Sequence, residues 1–152
     1  MSTQPSPQLS PEDYLEWEAQ SGVKHEYIHG QVSAMARASD AHVTLALNLA
    51  TLLRPTVRQR GCRLYMSDMK VRLEQRNCFY YPDLLVTCDP RDQQTPLYKS
   101  FPCLVIEVLS PSTEAFLWVW QAYSPPEDWV EFKSIGWQGH ISGIYEDVSL
   151  EL

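Results

Sequence analysis

The sequence predicts an α/β (α+β) domain. Two observations carry this. Leu45, Leu49, Leu52 and Leu53 recur at helical spacing. Elsewhere, strand-forming apolar residues run through 84–86 and 103–109. The size agrees: 152 residues, 44% of them hydrophobic, suit one compact domain with its own core. We expect a disordered leader over 1–9 and a single domain over 10–152.

The elements follow in order. Ser10-Pro11-Glu12-Asp13 reads as a helix start, with Ser10 as cap, Pro11 in the first turn and two acids at the positive end of the helix dipole. This helix should end near Gly22. "HEYIHGQVSAM" reads as a hairpin turning at His29-Gly30. From Ala41 the leucine spacing predicts a helix capped by Asp40, which Pro55 should kink or end. "RLYMSDMKVRLEQRNCFYYPDLLVTC" reads as two strands around Gln75-Arg76-Asn77. Tyr65, Met69, Val71 and Leu73 should share one face of the first, and Asp68, Lys70 and Arg72 the other. Residues 103–109 read as a central strand covered on both sides. "LWVWQAYSPPEDWVEFKSIGW" reads as two strands around a Pro-Pro turn.

Composition excludes some classes. No apolar run is long enough to span a bilayer, and the N-terminal residues have neither the basic nor the apolar part of a signal peptide, so the expected compartment is cytoplasmic. Cys62, Cys78, Cys88 and Cys103 form no CxxC pair, which favours reduced, part-buried thiols over a zinc site. A net charge of −7 argues against holding nucleic acid by bulk charge. The charge is uneven, however. Residues 54–76 carry seven basic side chains against Asp68 and Glu74, a local +5 that leaves −12 for the rest. Arg54, Arg58, Arg60, Arg63 and Arg72 are candidates for a phosphate-facing edge. The plainer reading is a solvated helix end and hairpin.

Two acids stand in apolar company. Asp83 leads Leu84-Leu85-Val86, and Glu107 sits between Ile106 and Val108. An unpaired buried carboxylate is costly, so it normally has a partner, a proton or a metal. Carboxylates on adjacent strands can share a hard divalent cation. The alternative is that Asp83 caps a strand and Glu107 pairs with an arginine. Glu26, between His25 and Tyr27, is a third acid, which could equally lie on an exposed edge strand.

The stretches "YLEWEAQSGVKHEYIHGQV", "YMSDMKVRLEQRNCFYYPDLLVTCDPRD" and "FPCLVIEVLSPSTEAF" closely resemble the putative restriction endonuclease family abundant in cyanobacteria, within the PD-(D/E)XK nuclease-like superfamily. The resemblance covers 11–116, making 10–116 the family core and 117–152 C-terminal strands and tail. It implies a restriction-endonuclease-like mixed central sheet flanked by helices, and cleavage of DNA with Mg2+ or Mn2+. It places Asp83 on the family's "PD" aspartate and Glu107 on its "(D/E)" position, both as metal ligands. Glu26 matches the acid of the "E-Y-x-x-G" stretch and would orient a ligand water. A homodimer is also implied where a palindrome is cut.

The chain departs from the pattern at one point. The superfamily carries a lysine two residues after the acid, and that position is Leu109. In the family the lysine stands on a helix just after the stretch matching "SPSTEAF". Here Phe116 runs directly into "LWVW", and neither lysine nor arginine occurs between Lys99 and Lys133. The comparison therefore implies an internal deletion at Phe116–Leu117 that removes one core helix and strand. Lys70 is the best remaining candidate to approach a phosphate, against its plain reading as an exposed strand lysine. Two functions stay open: a metal-dependent endonuclease, or a degenerate, non-catalytic nuclease-fold module that binds DNA or oligomerises. A glycosidase using paired carboxylates has no further support in the sequence.

Overall fold

A computed structural model describes residues 8–108 and 129–149. Helix α1 spans Pro11–Glu18. Ser10 caps it in a reciprocal box: its Oγ accepts the Asp13 N–H, and the Asp13 carboxylate bonds back to Ser10. Strands β1 (His25–Ile28) and β2 (Gln31–Ala34) form the expected hairpin. His29 and Gly30 both have positive φ, 51° and 91°, as a tight primed turn requires. The described residues include two from the expected leader, 8 and 9. Leu9 donates its N–H to the Gly30 carbonyl and its own carbonyl accepts from Tyr27 Oη.

Helix α2 spans Asp40–Gln59 and is capped by Ser39, not Asp40. It also runs through Pro55, against expectation. Proline forfeits only one hydrogen bond, while Leu53 and Val57, on either side of it, are fully buried and hold the helix against the core.

Each of the two long strands expected between 63 and 87 is broken and changes sheet. β3 (Arg63–Met66) and β6 (Leu84–Thr87) join β8 (Pro102–Ile106) in a three-stranded antiparallel sheet, order β3-β6-β8. β4 (Lys70–Leu73), β5 (Cys78–Tyr80) and β7 (Tyr98–Lys99) join the hairpin in a mixed five-stranded sheet, order β2-β1-β5-β4-β7, with β4 and β7 parallel. The breaks lie side by side. Ser67, at φ 36°, turns the chain after β3, Pro82-Asp83 turns it before β6, and Ser67 N–H donates to the Asp83 carbonyl. Asp83 therefore sits at the seam between the sheets.

The central strand is β6, buried along its whole length. β8 ends at Ile106 and lies half-buried at the edge of this sheet among the described residues. β9 (Trp129–Phe132) and β10 (Trp137–His140) pair around residues 133–136. The Pro-Pro turn, the strand expected before it and the Phe116–Leu117 junction lie outside the described residues. Helix α3 (Ile141–Ile144) follows.

Two cores result. Leu49, Leu53 and Val57 of α2 pack on Leu84, Val86, Val130, Trp137 and Ile144. Tyr14 of α1 packs on Tyr27 and Phe79 of the five-stranded sheet, with ring centroids 5.0 and 5.3 Å away. One expectation about thiols is overturned: Cys62 and Cys88 form a disulfide. The register pairing Arg63 with Thr87 places these two residues next to each other across β3 and β6, which composition could not reveal. Cys78 and Cys103 remain free.

Candidate functional site

Strand register brings the two acids together. β6 and β8 pair Leu84 with Ile106, and one step further that antiparallel register sets Asp83 opposite Glu107. Asp83 Oδ2 accepts the Val108 backbone N–H at 2.7 Å. Asp83 Oδ1 lies 2.7 Å from His42 Nε2, and both side chains are only 16% exposed.

Glu107 has its pKa pushed up to about 8. Burial is the largest cause. The negative charges of Asp83 and Glu26 and a side-chain hydrogen bond with Asp83 add to it, while a hydrogen bond with the Asp83 backbone opposes it. Burial also raises Glu26. Asp83 and Glu26 thus both act on Glu107, and Glu107 keeps its proton near neutrality.

Lys70 is not part of this group. The pairing of β1, β5 and β4 puts Glu26, Tyr80 and Val71 on one face of the five-stranded sheet, and Tyr27, Phe79 and Arg72 on the other. Lys70 shares the face of Arg72. Its Nζ lies 5.0 Å from the Tyr81 ring centroid, and the charges that act on it are Glu18 and Asp68. Burial lowers its pKa and those acids oppose the shift. Lys70 therefore stands on the α1 side, opposite Glu26.

The arginines divide. Arg54, Arg58, Arg60 and Arg63 are exposed around the C-terminal end of α2 and the start of β3, with no ion pair among the described residues. His42 is in the first turn of the same helix. At about 1.5 Å per residue, Arg54 to Arg60 lie roughly 18–27 Å along the axis from it. Arg72 does something else. It is wedged between the Phe79 and Tyr98 rings, 5.5 and 5.3 Å from their centroids, and donates to Tyr98 Oη. That is a packing role within the sheet face under α1.

Two further residues escaped sequence reasoning. His42 looked like one polar residue at a helix start, and the only signal was its place in the turn following a cap. Glu18 is buried and accepts from Tyr81 Oη at 2.9 Å and from the His25 backbone N–H at 2.9 Å, with His25 Nδ1 3.1 Å away. It ties α1 to β1 and to the strand leading into Asp83.

Among the described residues, no three His, Cys, Asp or Glu side chains converge as a ready-made metal cage. A hard cation such as magnesium does not need one. It is commonly held by one or two carboxylates, with waters and substrate oxygens completing its shell. The facing Asp83 and Glu107 fit that donor set, and the repulsion that Asp83 and Glu26 exert on the half-buried Glu107 is what a dication would relieve.

A mixed sheet and an antiparallel sheet, with two facing, half-buried carboxylates where they meet, make an α+β fold carrying a candidate metal-binding pair. The family model for Uma2, putative restriction endonuclease, matches residues 11–130, and the chain belongs to that family. An uncharacterized protein of Synechocystis sp. is 44% identical over 112 residues, covering 74% of this chain and 59% of its own. A second uncharacterized protein of the same organism is 32% identical over 110 residues, covering 71% of this chain and 62% of its own. The chain therefore spans about three fifths of the length of these relatives. In fold it is similar to the crystal structure of a putative nuclease belonging to DUF820 from Anabaena variabilis, with a TM-score of 0.55 at 19% identity, covering 70% of this chain and 61% of that one. Among the described residues, no helix is long and apolar enough to cross a membrane.

Proposed function

We propose that this chain is a divalent-metal-dependent DNA endonuclease domain that hydrolyses phosphodiesters, with Mg2+ or Mn2+ held by Asp83 and Glu107. One observation carries the reading: Asp83 and Glu107 face each other across β6 and β8, where burial and the charges of Asp83 and Glu26 raise the Glu107 pKa. Such a cation lowers the pKa of a bound water and offsets charge on the phosphate. The protein's part is positional. Val108 N–H and His42 fix the Asp83 carboxylate. Glu107 supplies the second carboxylate once its proton leaves. Glu26 faces the same group and orients a ligand water. The exposed arginines at the far end of α2 would engage the DNA backbone several base pairs from the reacting phosphate.

A second reading is favoured by one observation. The charges acting on Glu107 are those of Asp83 and Glu26, and Lys70 lies on the other face of its sheet. Among the described residues no lysine or arginine charge acts on Glu107, as expected of a degenerate, non-catalytic module. Incubating the protein with supercoiled plasmid and Mg2+ or Mn2+, beside Asp83→Ala and an EDTA control, separates the two. Nicking that disappears in the variant and in EDTA supports the nuclease. Gel-shift binding that EDTA leaves unchanged, without nicking, supports the module and sinks the nuclease for this chain.

A further inference from the structure

His42 is held in a manner that its own satisfaction does not explain. Ser39 Oγ accepts the His42 backbone N–H and so anchors the residue in the first turn of α2. Its Nε2 is 2.7 Å from Asp83 Oδ1, and since a carboxylate accepts, Nε2 is the donor. Its Nδ1 is buried and has no hydrogen-bond partner among the described residues. A buried polar atom left alone costs stability, so a purely structural histidine would be expected to satisfy both nitrogens. The ring is placed for Asp83.

Asp83 is also gripped from the other side, where Val108 N–H holds Oδ2. The two donors come from different elements, α2 and the chain just after β8. Together they stop the carboxylate from rotating about its last bond. Asp83 also shares a side-chain hydrogen bond with Glu107, which a cation would replace, and its remaining lone-pair directions stay free. A carboxylate clamped in this way presents those directions to a cation without first having to be ordered. Partners of metal-ligating side chains do this in other metal sites.

We propose that His42 is a positioning residue that orients Asp83 for a divalent cation, acting through Nε2 and not as a ligand. The inference rests on the metal reading above, and calorimetric titration with MnCl2, without DNA, tests the two separately. Wild type should bind and Asp83→Ala should not. His42→Ala should weaken binding about 10- to 100-fold. His42→Gln, whose amide nitrogen reaches the place of Nε2, should restore affinity close to wild type. His42→Asn is too short and should behave like His42→Ala, which keeps the comparison usable if the alanine variant does not fold. Thermal melts check that Gln and Asn variants are equally folded. Wild-type affinity in both His42→Ala and His42→Asn overturns the positioning role and leaves the metal reading standing. No binding by wild type overturns both.

Discussion

Val108 donates its backbone N–H to Asp83 Oδ2 at 2.7 Å, so the residue after Glu107 grips the carboxylate that Glu107 faces. The pair is a single unit built by strand register. It gives the chain a distinct response to pH.

Glu107 ordinarily titrates near 4.5 and is pushed up to about 8 in the fold. Below 4.5 the proton is present in both states. Between 4.5 and 8 only the folded state keeps it, so the stabilisation from this raised pKa is full at low pH, declines through that window and is gone above about 8. Urea unfolding in EDTA should show the decline. Glu107→Gln should lack it, and its stability relative to wild type should rise from pH 5 to pH 8. Parallel pH curves for the two proteins would contradict this.

Glu18 is a buried acceptor for Tyr81 and His25. Tyr81→Phe removes one hydrogen bond to a carboxylate and should cost about 1.5–3 kcal/mol. Glu18→Ala also strands the His25 N–H and should cost more. Denaturant midpoints measure both. A change in Tyr81→Phe within error would show that the bond contributes nothing.

The disulfide joins residues 26 apart in sequence. A loop of that size corresponds to about 3–4 kcal/mol of restricted unfolded-state entropy. Reduction, or Cys62→Ser, should lower unfolding stability by that order. Thiol titration of the denatured, unreduced protein should find two free groups, Cys78 and Cys103. Four would contradict the bond.

The arginines should separate by assay. Arg58→Ala, Arg60→Ala and Arg63→Ala should weaken DNA binding and flatten its salt dependence while leaving the melt unchanged. Arg72→Ala loses two ring contacts and a hydrogen bond, so it should destabilise the fold by about 1–3 kcal/mol. Arg72→Ala that binds DNA weakly at full stability would return it to the phosphate-facing set.

Much of the local structure was legible. Ser10 capping, the His29-Gly30 turn and the leucine-marked helix follow from short-range chemistry. The pairing of Asp83 with Glu107 was legible as a question, because acids inside apolar runs need a reason. What was not legible depends on contacts between distant segments. Nothing local says that Ser67 and Pro82-Asp83 hand the chain from one sheet to another. The disulfide required the register of β3 against β6. Lys70 and Arg72 alternate correctly along a strand, but only the sheet order reveals that their face is the one under α1. His42 became visible only when α2 docked its first turn against Asp83.

The central claim is that Asp83 and Glu107 together hold a divalent cation. Mn2+ binding followed by calorimetry at pH 7, in two buffers of different ionisation enthalpy, tests it most directly. Glu107 is protonated before binding and must lose that proton to become a ligand. The account predicts release of about one proton per cation in wild type, and no release in Glu107→Gln. Cation binding without proton release, or equal release in the variant, would contradict it.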